Sequence, residues 1–538
     1  MEEKTTLRSR WRMLPPAVRA ACLCCFAAGF FCHLFAITNL IPNSDGVSRV
    51  YDAQQMTVSG RWFLHYASAW NGYLQAPAVI GFFALLFLSL AAGLTASVLK
   101  LRRPLSGALC GALMAAFPSV AYTFLYLFTA SAYCFGILLA VLAVWLADRY
   151  RWGFLFAAPV LACALGTYQA YLAVAVSLLL LRLVLLGLSE GEQAKHLLLE
   201  GLKSLALLVL GLLLYYLTLR IFLAVKDLEL LNYKGIGGGL SLSGMLAKLP
   251  DAYLGLFRYF FVPHSFAKYT TPLTVAGNTV MFLAGLWAIL RLPLRSRPRP
   301  GTVALTLHCC ALLPLGLNLT VLMGDPMPIM RFALVFAWIL PLALTDRACP
   351  ARKPEEAARG RRSPDRRQML RRLPRAAALC GAILLCLVSF NIDNLAYTVS
   401  ATSHRATESF ATRLVDRVES TPGYQKDMEV VIVGGFPQKV YYSQIEAFAL
   451  VSDYSNRSTT VIPLNKHVYY YLNDWLNVPW PEPSEETMMT VSESPAFQNM
   501  PLYPSDGSIV IRDGRVIVKL AERYTPKKDY EIAYENRR

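Results

Sequence analysis

At 538 residues, with 55% hydrophobic and only 16% charged side chains and a mean hydropathy of +0.41, the chain has more apolar surface than one soluble core of this length would bury. It reads as a polytopic α-helical membrane protein. The net charge of +17 does not point to nucleic acid, because residues 346–375 alone hold eleven Lys/Arg against four Asp/Glu in a loop between two apolar spans, where such a cluster sets topology.

The chain opens with Arg8, Arg10 and Arg12 and an apolar run from Ala20 to Ile41. The run exceeds a signal-peptide h-region, and no small-residue cleavage site precedes Pro42, so an uncleaved anchor is expected. With roughly 20 apolar residues per crossing, spans are expected near 17–41, 76–99, 105–124, 130–147, 153–168, 170–188, 205–225, 273–292, 302–323, 332–345 and 376–396, about eleven on that measure. The run from Gly153 to Leu188 is too long for one helix, and Gly166-Thr167-Tyr168-Gln169-Ala170-Tyr171 marks the hairpin in its middle. Lys and Arg gather in alternate loops, which puts the N-terminus in the cytoplasm. Loops 42–75, 123–131, the Gly166 hairpin, 226–272, 324–331 and everything beyond 397 then lie outside. In 226–272, Gly235–Gly239 reads as a hinge, and Leu240 to Phe261 as a helix lying in the interface.

The cysteines fall in spans or basic loops without metal-ligand spacing, and none follows Cys386. Residues 397–538 lose the long apolar runs. Ala406, Phe410, Leu414 and Val418 repeat at helical spacing, Val430–Gly435 reads as a strand and turn, and Ile509–Val518 as a hairpin on an Asp513-Gly514 type I′ turn. The expected organisation is a transmembrane domain, 1–396, with an exofacial catalytic loop, 42–75, followed by a small extracytoplasmic α/β domain, 397–538.

The most informative stretch is the polar island from Asn43 to Trp62. If Asn43 or Ser44 caps a helix that Gly60 ends, Asp45, Arg49 and Asp52 share one face, with Arg49 one turn from each acid. An exposed ion-pair ladder of this kind is worth only about 0.3–0.5 kcal/mol per pair. Between two membrane spans, retained charges more often mark a substrate site. There a carboxylate suits general-base work on a sugar hydroxyl. Nucleotide sugars are cytoplasmic, so the donor at an outer face is a lipid-linked sugar, whose leaving phosphate needs cations. Arg61 and Arg331 stand in outward loops beside span ends, as do Arg258 and Lys268, for which snorkelling to headgroups is the simpler account. Trp62, Tyr66, Trp70 and Tyr73 match an interfacial aromatic belt as well as a sugar platform. Tyr168 and Gln169 either hydrogen-bond a sugar or pack between helices. His33 and His308 lack ligand-spaced partners and read as structural.

The Asn43-Ser44-Asp45 loop, the Ser59-Gly60-Arg61-Trp62 motif and the Ala164–Tyr171 hairpin together resemble the type II glucosyl transferase family of bacterial polytopic proteins. Its members are similar to the GT-C class of multi-span glycosyltransferases that use polyprenyl-phosphate sugars. The resemblance implies transfer of a hexose, glucose in the family, from undecaprenyl phosphate to a cell-surface glycan at the bacterial plasma membrane. It places the catalytic base on Asp45. Family members often carry two adjacent acids there, whereas this chain has Asp45-Gly46, so the second acid is either Asp52 or missing altogether. No cofactor is implied, and a divalent ion is left open. The rival reading is a flippase or transporter of lipid-linked saccharides. Such proteins keep mid-membrane charges or paired repeats, whereas the spans from 76 to 188 are nearly free of internal charge and the two halves do not mirror each other in length or loops.

Overall fold

Proline opens many of the helices. Pro16, Pro77, Pro104, Pro118 and Pro300 each stand in a first helical turn, where the missing N–H has no intrahelical partner to lose and φ is already helical. The structure, a computed structural model, describes residues 7–48, 50–231, 242–263, 270–296, 298–349, 366–436, 451, 462 and 465–526. Its main helices are α1 (Pro16–Thr38), α2 (Pro77–Val98), α3 (Pro104–Ala116), α4 (Pro118–Leu125), α5 (Leu127–Arg149), α6 (Gly153–Thr167), α7 (Tyr171–Gly187), α8 (Ala194–Val225), α9 (Leu249–Phe261), α10 (Pro272–Ser296), α11 (Pro300–Leu317), α12 (Val335–Ala348) and α13 (Arg366–Glu419). Among the described residues, 8 helical stretches are long and apolar enough to cross a bilayer, and α6 and α7 are shorter apolar helices. The protein is mostly helical and multi-pass.

Three expected spans differ in detail, among them 302–323, whose helix ends at Leu317 and gives way to a 3-10 turn, Leu319–Met323. The one at 105–124 is broken where Phe117, at ψ 132°, turns the chain into Pro118, because a residue before proline is pushed out of the helical region. The one at 332–345 begins with a 3-10 turn, Phe332–Leu334, before α12. The glycine run 235–239 lies outside the described residues. Of the segment expected as an interfacial helix, Leu249–Phe261 forms α9, with Tyr253, Leu254 and Phe257 exposed and Tyr259 and Phe260 buried.

Helices α1 and α3 meet backbone to backbone. A Cβ at Gly107 would stand 2.0 Å from the Ala17 carbonyl oxygen, and one at Gly111 would stand 2.2 Å from that of Ala21. The spacing is Gly-x-x-x-Gly, the small-residue stripe that lets membrane helices approach closely. His33 adds a polar tie across this pair. Its Nε2 donates to the Ala115 carbonyl at 2.9 Å, and its Nδ1 accepts from Tyr397 Oη at 2.7 Å. Leu198, Leu205, Leu213 and Leu217 of α8 are more than half exposed, as lipid-facing positions are.

Several of the charged loops and helix ends are tied to one another by ion pairs and hydrogen bonds. At one end of the bundle Asp346, buried, accepts from Arg102 N (2.7 Å), Ser106 Oγ (2.8 Å) and Arg103 Nη1 (3.2 Å), while Arg347 caps the carbonyls of Leu185 and Leu99. Nearby, Arg182 pairs with Asp148 and Glu200. The other end carries the 43–75 loop and the Gly166 hairpin.

Helix α13 runs without a break from the bundle into a second hydrophobic cluster, so the expected boundary at 396/397 falls inside a helix. Phe410, Leu414 and Val418 are buried there, as their spacing implies. Strand β1 (Glu429–Val433) pairs parallel with β3 (Arg515–Lys519), which pairs antiparallel with β2 (Ile509–Arg512). Asp513 and Gly514, both at positive φ (53° and 72°), close the hairpin, as a type I′ turn requires. Helix α14 (Val468–Leu476) packs Val468, Tyr469, Tyr471 and Leu472 into the same cluster.

Gly111→Ala is expected to force α1 and α3 apart and to cost about 1–3 kcal/mol. A lowered thermal midpoint of the detergent-solubilised protein checks this; an unchanged midpoint would show that the helices do not meet at Gly111.

Candidate active site

Two distant sequence motifs build this end of the bundle by fitting into each other. Gly60 has φ +79°, and a Cβ there would lie 2.4 Å from Gln169 Nε2 and 2.6 Å from Tyr215 Oη; only glycine suits both the turn and the space. Gln169 Nε2 donates to the Ser59 carbonyl at 2.8 Å, and Tyr215 Oη donates to the Gly60 carbonyl at 3.1 Å. Trp62, 7% exposed, lies over Gly166, whose Cβ would be 2.6 Å from the indole, and stacks on Phe222. The Phe63 amide donates to the Gly166 carbonyl at 2.8 Å.

Arg61 projects from this clamp. Its guanidinium lies 4.8 Å from the centre of the Tyr168 ring, and Nη1 donates to Tyr133 Oη at 3.2 Å. Tyr133 and Tyr168 are themselves stacked, with centroids 4.7 Å apart and planes 9° from parallel. A cation over a partly desolvated aromatic face gains about 0.5–2 kcal/mol.

The candidate acids are placed differently from the helix expected over 43–59. Asn43 caps a tight turn, its Oδ1 accepting from Gly46 N at 2.7 Å, and residues 50–56 are non-helical, with Gln54 at φ +55°. Gly60 does end a short 3-10 turn, Thr57–Ser59. The helix expected to put Asp45 and Asp52 on one face does not form among the described residues, because residues 50–52 bond instead to 73–75: Gln75 N donates to Val50 O (2.9 Å), and Asp52 N donates to Tyr73 O (3.0 Å). Arg49 lies outside the described residues. Asp45 is exposed at the tip of the turn. Asp52 is half-buried, and its Oδ1 accepts from Gln54 N at 2.8 Å. Arg331, 3% exposed, stands in the separate 324–331 loop and donates Nε to the Pro326 carbonyl at 3.1 Å.

The structure thus joins Arg61, Trp62, Tyr168 and Gln169 in one assembly, with Asp45 and Asp52 on the loop leading into it. The amide of Gln169 and the ring of Trp62 serve the clamp. Sequence reasoning missed three contributors. His65 stacks on Tyr73 (5.0 Å) and bonds the Ala53 carbonyl (2.6 Å), and Tyr133 holds Arg61. The third is Trp475 of α14, whose Nε1 donates to the Val47 carbonyl at 2.8 Å, two residues from Asp45. Val47 is fully buried in the C-terminal cluster. The one available signal was the Tyr471/Trp475 spacing of four, which puts both rings on one helix face. Burial pushes the Tyr471 phenol above its ordinary range; it faces His404 Nε2 at 3.3 Å. Among the described residues no three His, Cys, Asp or Glu side chains gather as a metal site requires.

The Glucosyl transferase GtrII family profile matches residues 34–342, more than half of the chain. The chain belongs to this family. No curated protein and no solved structure gives a significant match. Membership of the Glucosyl transferase GtrII family gives the protein a glycosyltransferase role. The matched residues include Asp45, the Gly60–Trp62 motif, the Gly166 hairpin and Arg331; Trp475 lies beyond them.

Trp475→Phe keeps the ring and removes the N–H that holds Val47. Loss of one such bond is worth roughly 1 kcal/mol, so glycosyl transfer should fall about fivefold at unchanged membrane abundance. Full activity would show that the turn does not depend on α14.

Proposed function

We propose that this protein transfers a hexose, glucose on the family's pattern, from a polyprenyl phosphate such as undecaprenyl phosphate to a cell-surface glycan at the outer face of a bacterial plasma membrane. On this reading about eleven spans cross the bilayer, the N-terminus is cytoplasmic, and residues 397–538 form an extracytoplasmic α/β domain that helps present the acceptor. The observation that carries the reading is one loop, 43–75, holding an exposed carboxylate at Asp45 and an aromatic-held guanidinium at Arg61, where the chain re-enters the bundle.

The chemistry is a single displacement. The acceptor hydroxyl gives its proton to the Asp45 carboxylate, and its oxygen bonds to the anomeric carbon. The bond from that carbon to the phosphate oxygen breaks, and its electron pair leaves with the phosphate. Attack opposite the leaving group inverts the anomeric centre. Arg61 stabilises the departing phosphate, with Arg331 as a second cation, through charge-assisted hydrogen bonds. Tyr168, Gln169 and Trp62 fix Arg61, while Asp52 shapes the loop and Arg49 is the nearest cation in sequence to both acids. Because the phosphate leaves readily, one base suffices, and a flippase would need none.

Asp45→Asn keeps the shape and removes the base. Transfer from a polyprenyl-phosphate sugar in membrane vesicles should fall by about 100-fold or more at normal protein level. Undiminished transfer would sink the assignment, and carrier translocation without transfer by the wild-type protein would favour the flippase.

A further inference from the structure

Among the described residues of the 43–75 loop, Gln54 is the one that combines a non-glycine positive φ with buried side-chain atoms that lack a hydrogen-bond partner. Its backbone sits at φ +55°, a left-handed conformation that a long side chain without a locally bonding oxygen adopts at a cost. It is 1% exposed, and neither its Oε1 nor its Nε2 has a hydrogen-bond partner. Buried amides are almost always paired, so one with both ends unmet asks for an explanation. Folding does not supply it, since glycine would fit this φ without strain and leave no polar atom behind. The surroundings hold the conformation deliberately: Asp52 Oδ1 accepts the Gln54 N–H at 2.8 Å, and the Gln54 carbonyl accepts from Met56 N at 2.9 Å.

A second amide lies near the acid. Gln75 is 6% exposed, and its Oε1 is also without a partner. A Cβ on Gly46, next to Asp45, would stand 3.3 Å from Gln75 Nε2. The backbone pairing of 50–52 with 73–75 brings the two glutamine segments side by side.

We infer that Gln54 and Gln75 form a hexose-binding subsite of the Asp45 loop, their amides pairing with ring hydroxyls. The inference rests on the reading of that loop as the site of transfer. A neutral amide offers one donor and one acceptor edge, which suits vicinal hydroxyls that both give and take protons. A phosphate, which only accepts, would leave the Oε1 atoms unmet and is better served by Arg61. Engagement needs the Gln54 side chain to turn toward the Asp45 tip, a rotamer change of the kind common on binding. Strain and unmet bonds in the free protein are then relieved by the sugar, which is how functional sites hold them. Asp52 acts here as a positioning residue through the Gln54 backbone.

The test compares Gln54→Gly and Gln54→Asn in the full-length protein, reading thermal midpoint together with KM for a polyprenyl-phosphate hexose and KM for the glycan acceptor. Gln54→Gly should raise the midpoint by roughly 2 °C or more and raise one KM by about five- to tenfold, the loss of one or two neutral hydrogen bonds. The KM that moves tells whether the donor or the acceptor sugar is held. Asn tolerates left-handed φ and retains an amide, so Gln54→Asn should restore part of the affinity. A lowered midpoint would make Gln54 a structural prop, and unchanged KM values for both substrates would remove it from the site; either outcome overturns the inference. Asp45→Asn in the same assay separates the two ideas. If it stays active while Gln54→Gly shifts KM, the base assignment fails and the sugar subsite stands; if it is inactive while Gln54→Gly is silent, the reverse holds.

Discussion

Everything at the functional end depends on one fit: the Ser59–Trp62 turn seated on the Gly166 hairpin. Two glycines make it possible, Gly60 at φ +79° and Gly166 beneath the Trp62 indole. Long-range hydrogen bonds from Gln169 and Tyr215 lock it. The clamp satisfies backbone carbonyls that would otherwise be left unpaired near the bilayer, where unmet polar groups are expensive. It also dictates where Arg61 emerges, and the stacked Tyr133–Tyr168 pair dictates how the guanidinium lies. A lysine at position 61 would lose the planar fit to the ring and the fork toward phosphate.

The rest of the loop is held from the opposite side. Val47 is buried among C-terminal side chains, and Trp475 grips its carbonyl. Asp45 is therefore suspended between a turn anchored in the C-terminal cluster and a clamp anchored in the bundle. A carboxylate in that position stays exposed without being free to wander, which is the condition for a base that must meet an incoming hydroxyl. Helix α13, continuous from the bundle into the cluster, makes the two anchors one framework.

The helical framework was legible in the sequence because membrane insertion is a local constraint: an apolar run of sufficient length must be a helix wherever it packs. The same holds for the Asp513-Gly514 hairpin, where two residues determine the turn. The polar island was not legible in that way. Spacing of four and three between Asp45, Arg49 and Asp52 suits a helix, but Val47 is drawn into a core more than 400 residues downstream, and residues 50–52 find backbone partners at 73–75. Tertiary hydrogen bonds outweighed a pattern worth a few tenths of a kcal/mol. Arg61 was identified as a cation beside a span, yet its aromatic holder includes Tyr133, 72 residues away, which no local spacing reveals. Gly46, in place of a second adjacent acid, packs against Asn43, Gln75 and Phe128, and Asp52 is turned to the Gln54 backbone. The two acids have different surroundings.

The most direct measurement is an experimental structure of the full-length protein with a non-transferable polyprenyl-phosphate hexose in a lipid nanodisc. The account predicts the phosphate within hydrogen-bond reach of the Arg61 guanidinium and the sugar on the Asp45 side, its anomeric carbon open to a hydroxyl held by that carboxylate. A phosphate bound instead at the opposite end, among Arg103, Arg182 and Arg347, would contradict it.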